Sequence, residues 1–196
     1  KYLVIGNPIE HSLSPKLHNY WFKKNKIKAV YNKKKINEDD IQAIIDEIKN
    51  NKINGINVTV PFKKSVIPFL DELTPLANEA QSVNTIYKNE DKVIGHNTDV
   101  DGFKLSLQHI NYEAKNKKIF ILGSGGVVPS IIIALQKMKV FKIILSNRTK
   151  EKAEDLKKKL NIDLEILEWG RIPDFDMIIN ATSLGLKKDD EIKLDY

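Results

Sequence analysis

Lys63 stands at a position where a lysine can act as an acid in a reaction. The apolar, β-branched run before it predicts a buried strand over Gly55–Val60, and Pro61 marks the end of that strand. Ligands of open α/β sheets bind beyond the carboxyl ends of the strands, so an ammonium group held there is a candidate proton donor. A solvated surface lysine is the alternative, because most lysines are exposed.

Ser12 and Ser14 follow another predicted strand, over Tyr2–Ile5, and come just before Pro15, which favours the start of a helix. Their alternate hydroxyl groups can both point at one anion near that helix start. Serines are also ordinary helix caps, and that alternative stays open.

Asp99 closes the string Gly95-His96-Asn97-Thr98-Asp99, after a strand predicted over Lys92–His96. This order places a carboxylate at the sheet edge where Lys63 is expected. A helix cap is again the alternative.

A glycine turn, Gly123-Ser124-Gly125-Gly126, lies between a predicted strand over Ile119–Leu122 and an apolar helix over Val127–Met138. If a dinucleotide binds there, Gly123 permits the tight turn, Gly125 lets a pyrophosphate approach the backbone, and the helix start offers free N–H groups. Val128 stands where a third glycine is usual, which predicts slightly wider helix packing. A purely structural turn is the alternative.

Arg148 bears on the choice of cofactor. An NAD-binding unit places an acidic residue about 20 residues after the glycines, but this chain has Ser146-Asn147-Arg148-Thr149 there. A guanidinium group can pair with the additional phosphate of NADP, and Lys152 adds a charge one helical turn later. A structural arginine is the alternative.

The elements that position these residues alternate between short apolar runs and longer amphipathic ones, which is typical of α/β proteins. Ile41, Ile44, Ile45 and Ile48 form one apolar stripe, so a helix over Glu38–Asn50 should pack on the sheet. The remaining predicted strands are Ala29–Lys34, Ser82–Lys88, Phe141–Leu145 and Met177–Asn180, and the remaining helices are Pro15–Lys24, Val100–His109 and Lys150–Leu160.

A chain of 196 residues with 41% hydrophobic residues is long enough for two domains, which we expect at 1–110 and 111–196. The chain has no cysteine, which excludes disulfides and thiolate metal sites. It has no apolar run long enough to span a membrane, so we expect a soluble, cytoplasmic protein.

The net charge of +6 does not indicate a nucleic-acid partner, because the lysine clusters are interspersed with acids and Arg148 and Arg171 are the only arginines. The four histidines, His11, His18, His96 and His109, lack the spacing of metal ligands, so we expect no metal.

Taken together, the polar strings resemble shikimate dehydrogenase in order and spacing over nearly the whole chain. The strings are Gly6 to Pro15 with His18-Asn19, Asn57 to Lys63, Ser82-Val83-Asn84-Thr85, Asn97-Thr98-Asp99, the glycine turn, Asn147-Arg148-Thr149 and Asn180-Ala181-Thr182-Ser183.

The resemblance implies an N-terminal open α/β substrate domain, a Rossmann-like dinucleotide-binding domain, and reduction of 3-dehydroshikimate to shikimate by NADPH. Lys63 and Asp99 would be the acid–base pair, titrating together. The implied substrate-binding residues are Ser12, Ser14, Thr59, Lys63, Asn84 and Asp99. The implied NADP-binding residues are Gly123, Ser124, Gly125, Gly126, Val127, Asn147, Arg148, Thr149 and Lys152, with Thr182 and Ser183 near the nicotinamide.

The family continues beyond the position of Tyr196, with further strands and a terminal helical segment, so the second domain is expected to be incomplete. We expect a small-molecule substrate, no membrane or nucleic-acid partner, and a monomer or a homodimer. Two rival functions stay open: an NAD-preferring quinate/shikimate dehydrogenase, and a sensor that binds shikimate-like ligands without catalysis.

Overall fold

The computed structural model describes residues 1–185, 190–192 and 194. The chain divides into two compact units, Lys1–Thr98 and Asp99–Tyr196. The second unit begins with the helix Asp99–His109, so the observed boundary lies before this helix. The boundary expected between residues 110 and 111 lies after it.

The first unit is an α/β sheet domain. Its strands are β1 (Tyr2–Gly6), β2 (Tyr31–Lys35), β3 (Gly55–Val58), β4 (Glu72–Leu73), β5 (Thr85–Asn89) and β6 (Lys92–His96), and its helices are α1 (Ser14–Lys24), α2 (Ile41–Lys49) and α3 (Pro75–Ala80). The strand order is β2-β1-β3-β5-β6-β4, and only β5 runs antiparallel to its neighbours. The carboxyl ends of β1, β3 and β6 therefore meet the amino end of β5 at one sheet edge.

The predicted apolar stripe of α2 is confirmed. Ile41, Ile44, Ile45 and Ile48 are each at most 1% exposed and belong to the core cluster that contains residues of β1, β3 and β5. Burying one aliphatic side chain of this size contributes about 1.5–3 kcal/mol, so this face holds α2 on the sheet.

Two strand predictions in this unit were too long. β3 ends at Val58, not Val60, because Thr59 and Val60 leave the sheet and Val60 is 58% exposed, before the turn that contains Pro61. β5 begins at Thr85, not Ser82, and Ser82 and Asn84 are buried in the preceding loop. The consecutive buried residues of this loop made its sequence resemble that of a buried strand.

The second unit contains α4 (Asp99–His109), β7 (Lys118–Leu122), α5 (Val128–Lys137), β8 (Lys142–Ser146), α6 (Lys150–Leu160), β9 (Glu165–Leu167) and β10 (Met177–Asn180). Among the described residues its strands form a parallel sheet in the order β10-β7-β8-β9. Its buried residues, including Ile119, Ile121, Ile132 and Leu145, pack helices and sheet together. This is the Rossmann-like arrangement expected from the sequence.

No helix in the described part of the chain is both long and apolar enough to cross a membrane.

Candidate active site

The polar residues predicted in the first unit gather at one sheet edge. Ser12 and Ser14 follow β1, and the backbone N–H of Ser14 donates to Ser12 Oγ at 3.3 Å. Pro15 lies in the first turn of α1, as predicted, and the residue at the cap position makes no side-chain cap hydrogen bond. Both serines are half-buried.

Tyr31 lies at the start of β2 and is only 3% exposed. Its hydroxyl group donates to Asn57 Oδ1 at 2.6 Å. Burial raises the pKa of Tyr31 to about 12, an effect that the nearby Ser14 side chain partly opposes. The ring of His18 stacks on Tyr31 with the centroids 4.2 Å apart and the planes 3° from parallel.

Asn84 is fixed in orientation by its neighbours. Its Oδ1 atom accepts from the Thr98 backbone N–H at 3.0 Å and from Thr85 Oγ1 at 3.1 Å, while its Nδ2 atom donates to Thr98 Oγ1 at 2.8 Å. Thr85 in turn accepts from Asn57 Nδ2 at 3.1 Å. These bonds connect the residue before β5 to Asn57 on β3 and to the residues after β6.

Thr59 and Lys63 follow β3. The backbone N–H of Thr59 donates to the carbonyl of Ile5 at 2.9 Å, which ties this loop to β1. The carbonyl of Lys63 accepts from the Val83 N–H at 2.8 Å, next to Asn84. Lys63 is half-buried and lies in the turn that follows the end of β3. Its role as a proton donor stays a prediction.

Asp99 directly follows Thr98 and is the first residue of α4, in the second unit. Its side chain is half-buried. Its pairing with Lys63 stays a prediction.

The glycine turn of the second unit follows β7, as predicted. Gly123 has φ +103°, and a Cβ atom there would lie 2.8 Å from the carbonyl oxygen of Ala181. Gly125 differs, because the nearest atom to an added Cβ is 3.9 Å away. The turn is thus tightly packed at Gly123 and open at Gly125, which fits the close approach of a pyrophosphate to the backbone.

The remaining residues of this turn lead into α5. Ser124, Gly126 and Val127 are half-buried, and Val127 occupies the cap position. Pro129 falls in the first helical turn, and Val128 is fully buried where a third glycine is usual.

The other predicted cofactor residues lie at the same sheet edge. Asn147, Arg148 and Thr149 connect β8 to α6, and Asn147 Nδ2 donates to the Thr149 carbonyl at 2.7 Å. Arg148 is exposed, and no carboxylate in the described residues pairs with it. Lys152 lies in the first turn of α6. A charged ligand at this edge would therefore meet an uncompensated guanidinium group.

Thr182 and Ser183 follow β10. Asn180 Oδ1 accepts from the backbone N–H and the Oγ1 of Thr182, at 3.0 and 2.7 Å, and its Nδ2 atom donates to the Leu184 carbonyl at 2.9 Å. Asn180 thus shapes the loop that carries Thr182 and Ser183, and Ala181 and Thr182 contact the Gly123 position.

Sequence reasoning did not assign site positions to Tyr31, Asn57 and Thr98. An aromatic residue at a strand start is typical of the core, and its bonds to residues distant in the chain leave no local pattern. The sequence signal that could have identified such positions was the pair Asn57 and Thr59, polar residues at alternate positions in β3 and directly after it. Within the described residues, no cluster of three or more His, Asp or Glu side chains is placed to hold a metal ion.

Comparisons with known proteins cover both units. The family model for the shikimate dehydrogenase substrate binding domain matches residues 4–86, and the model for shikimate / quinate 5-dehydrogenase matches residues 104–186. The NADP(+) shikimate dehydrogenase of Pelagibacter ubique is 60% identical over 195 residues, covering 100% of this chain and 73% of that protein.

Solved structures give the same result. The crystal structure of Aquifex aeolicus shikimate dehydrogenase has a TM-score of 0.88 at 39% identity and covers 100% of this chain and 73% of that one. Shikimate 5-dehydrogenase from Thermus thermophilus, in complex with NADP(H) and shikimate, has a TM-score of 0.85 at 26% identity, covering 94% and 69%.

Proposed function

The chain belongs to the shikimate dehydrogenase family, and we infer that it catalyses the NADPH-dependent, reversible reduction of 3-dehydroshikimate to shikimate, a step of aromatic amino-acid biosynthesis. The observation that carries this inference is the 60% identity, over 195 residues, to an NADP(+) shikimate dehydrogenase. The polar edge of the first unit and the glycine turn of the second supply the residue types that the reaction needs.

We propose that the first unit holds the substrate. Ser12 and Ser14 bind its carboxylate, and the ring hydroxyl groups lie among Thr59, Lys63, Asn84 and Asp99. Hydroxyl and amide groups of known orientation suit this role, because a buried polar site rejects ligands that leave its groups unpaired. The fixed orientation of Asn84 supports the proposal.

The second unit is proposed to hold NADP. Gly123, Ser124, Gly125, Gly126 and Val127 face the pyrophosphate at the start of α5, with Asn147, Arg148, Thr149 and Lys152 at the adenosine end and Thr182 and Ser183 towards the nicotinamide. The open space over Gly125 supports this assignment, as does the guanidinium group of Arg148, which pairs with no carboxylate among the described residues.

When bound, NADPH supplies a hydride to the ketone carbon. The ketone oxygen then carries negative charge, which the ammonium group of Lys63 stabilises and neutralises: an O–H bond forms as an N–H bond of Lys63 breaks. Asp99 orients the amine and accepts a hydrogen bond from the substrate hydroxyl. Oxidation of shikimate follows the same steps in reverse.

We propose that the enzyme acts in the cytoplasm, where biosynthetic enzymes meet their substrates, as a monomer or a homodimer. An NAD-preferring quinate/shikimate dehydrogenase and a non-catalytic sensor are not favoured, because Arg148 replaces the expected acidic residue and both Lys63 and Asp99 are present.

The test is a spectrophotometric assay of the complete protein with shikimate and either NADP+ or NAD+. We expect reduced nucleotide to form with a higher kcat/KM for NADP+ than for NAD+. Absence of turnover with both nucleotides would contradict the proposed enzyme, whereas faster turnover with NAD+ and quinate would favour the rival dehydrogenase.

A further inference from the structure

Thr85 is the first residue of β5, directly after Asn84, and it is half-buried. Its hydroxyl oxygen lies between two side-chain amides, 3.1 Å from Asn57 Nδ2 and 3.1 Å from Asn84 Oδ1. We propose that Thr85 is a positioning residue for the substrate, because its hydroxyl group holds the Asn84 amide in one orientation. This inference rests on the proposed function, in which Asn84 lies next to the ring hydroxyl groups of the substrate.

The roles of the two amide atoms of Asn84 are set by a group that can only donate. The backbone N–H of Thr98 donates to Asn84 Oδ1 at 3.0 Å, so this atom is the acceptor of the amide. Thr85 Oγ1 faces the same oxygen, and the single hydroxyl proton of Thr85 must therefore point there. The other amide atom, Nδ2, donates to Thr98 Oγ1 at 2.8 Å.

Asn57 fixes the other side of the Thr85 hydroxyl group. Asn57 Nδ2 also faces the backbone carbonyl of Asn84 at 3.2 Å, and a carbonyl can only accept, so Nδ2 is a donor. Tyr31 supports this orientation, since its hydroxyl group donates to Asn57 Oδ1 at 2.6 Å. Thr85 thus accepts a proton from Asn57 and donates its own to Asn84, and hydrogen bonds ordered in this way strengthen one another.

The backbone of Asn84 is held by neighbouring strands, so its side chain is the part that Thr85 must orient. The Asn84 N–H donates to the carbonyl of His96 at 3.1 Å, and the Asn84 carbonyl accepts from the N–H of Val58 at 2.9 Å. An amide that is already oriented on this fixed backbone loses less freedom when the ligand binds, which favours binding.

The test compares Thr85→Val with Thr85→Ser in the complete protein. Thr85→Val keeps the branched shape of the side chain and removes the hydroxyl group, whereas Thr85→Ser keeps the hydroxyl group. We expect Thr85→Val to raise the KM for shikimate about 3- to 10-fold, the range of one net hydrogen bond, while kcat and the KM for NADP+ change less than about twofold. Thr85→Ser should restore a shikimate KM close to that of the wild type.

Thr74→Val is the matched control. Thr74 is a half-buried threonine of the same unit, and its hydroxyl group forms a hydrogen bond with His96 Nδ1 at 2.9 Å, outside the bonds that orient the Asn84 amide. Its loss should leave both KM values within about twofold of the wild type. An equal rise of the shikimate KM in Thr74→Val would show a general effect of losing a threonine hydroxyl group, and would overturn the inference.

A double-mutant cycle separates positioning from a general loss of structure. If Thr85 acts through Asn84, adding Thr85→Val to Asn84→Ala should raise the shikimate KM much less than Thr85→Val does alone. Independent effects of the two substitutions would overturn the inference. An unchanged shikimate KM in folded Thr85→Val would do the same, as would equal rises in the KM of both substrates or a failure of Thr85→Ser to restore the wild-type value.

If Thr85→Val does not fold, Thr85→Ala and Thr85→Ser form a second pair that differs only by the hydroxyl group. Thr85→Ala should then show the selective rise in the shikimate KM, and equal KM values in the pair would overturn the inference. Turnover of shikimate by the wild type tests the proposed function separately: without it both proposals fail, and with it only the role of Thr85 is at issue.

Discussion

At the scale of single residues, Arg148 leads to a prediction about cofactor choice. It is exposed and unpaired by any carboxylate of the described residues, so its charge is available to the additional phosphate of NADP. Arg148→Ala should weaken NADPH binding by about 1.5–3 kcal/mol, the range for hydrogen bonds to charged groups, and leave NADH nearly unaffected. Calorimetric titration with each nucleotide measures both effects.

Arg171→Ala is the matched control, since Arg171 is the only other arginine of the chain and is exposed in a loop. It should bind both nucleotides like the wild type. Equal losses of NADPH and NADH binding in Arg148→Ala would show a structural arginine instead.

His18 leads to a prediction about pH. Burial lowers the pKa of His18 below its ordinary value of about 6.5, so the folded chain binds this proton less readily than the unfolded chain does. The unfolded state then carries more protons, and the free energy of unfolding falls as the pH decreases below about 6.5, until the folded pKa is passed.

Denaturant unfolding at about pH 7.5 and about pH 5 measures this effect. His18→Gln should lose less stability between the two pH values than the wild type, because it has no proton to bind at this position. His109→Gln is the control, on an exposed side chain. An identical loss in His18→Gln and the wild type would exclude His18 as the source.

The residues that the sequence identified are those whose local neighbours define a pattern. Lys63 after a strand and Arg148 after the glycine unit can be found in this way. Tyr31 cannot, because its partner Asn57 is 26 positions away and becomes a neighbour only through the sheet.

At the scale of elements, the glycine turn separates a folding role from a binding role. Gly123→Ala should lower the free energy of unfolding by about 1–3 kcal/mol, because a side chain is strained at φ +103° and would clash with Ala181. Gly125→Ala meets no such contact, so it should fold normally and raise the KM for NADP+ about tenfold by obstructing the pyrophosphate.

Thermal unfolding and steady-state kinetics of the two variants check this contrast, and each variant is the control for the other. A Gly125→Ala variant with a wild-type KM for NADP+ would contradict binding of the pyrophosphate at this turn.

Elements with a strong apolar period were predictable. The stripe of α2 and the continuous apolar strand β7 lie where the sequence places them. The sequence did not reveal β4, α3 or β9, which span only 2, 6 and 3 residues. Elements this short are held by neighbouring strands and loops, and such contacts produce no period of their own.

At the scale of the whole molecule, alternating strands and helices predicted two α/β units, and the structure has them. The parallel order of β1, β3 and β6, with β5 reversed, explains why residues from four parts of the sequence share one edge. Strand order depends on contacts between distant segments, so it could not be predicted from composition and periodicity. The resemblance of the polar strings to one family did imply the shared site.

The most direct test of this account is the turnover of Lys63→Ala with shikimate and NADP+. Loss of the ammonium group removes the proton donor and the charge that stabilises the forming alkoxide, so kcat should fall about 10²–10⁴-fold while the KM for shikimate changes much less. Lys64→Ala, at the exposed neighbouring lysine, is the control and should keep wild-type turnover. Wild-type kcat in Lys63→Ala would contradict the assignment.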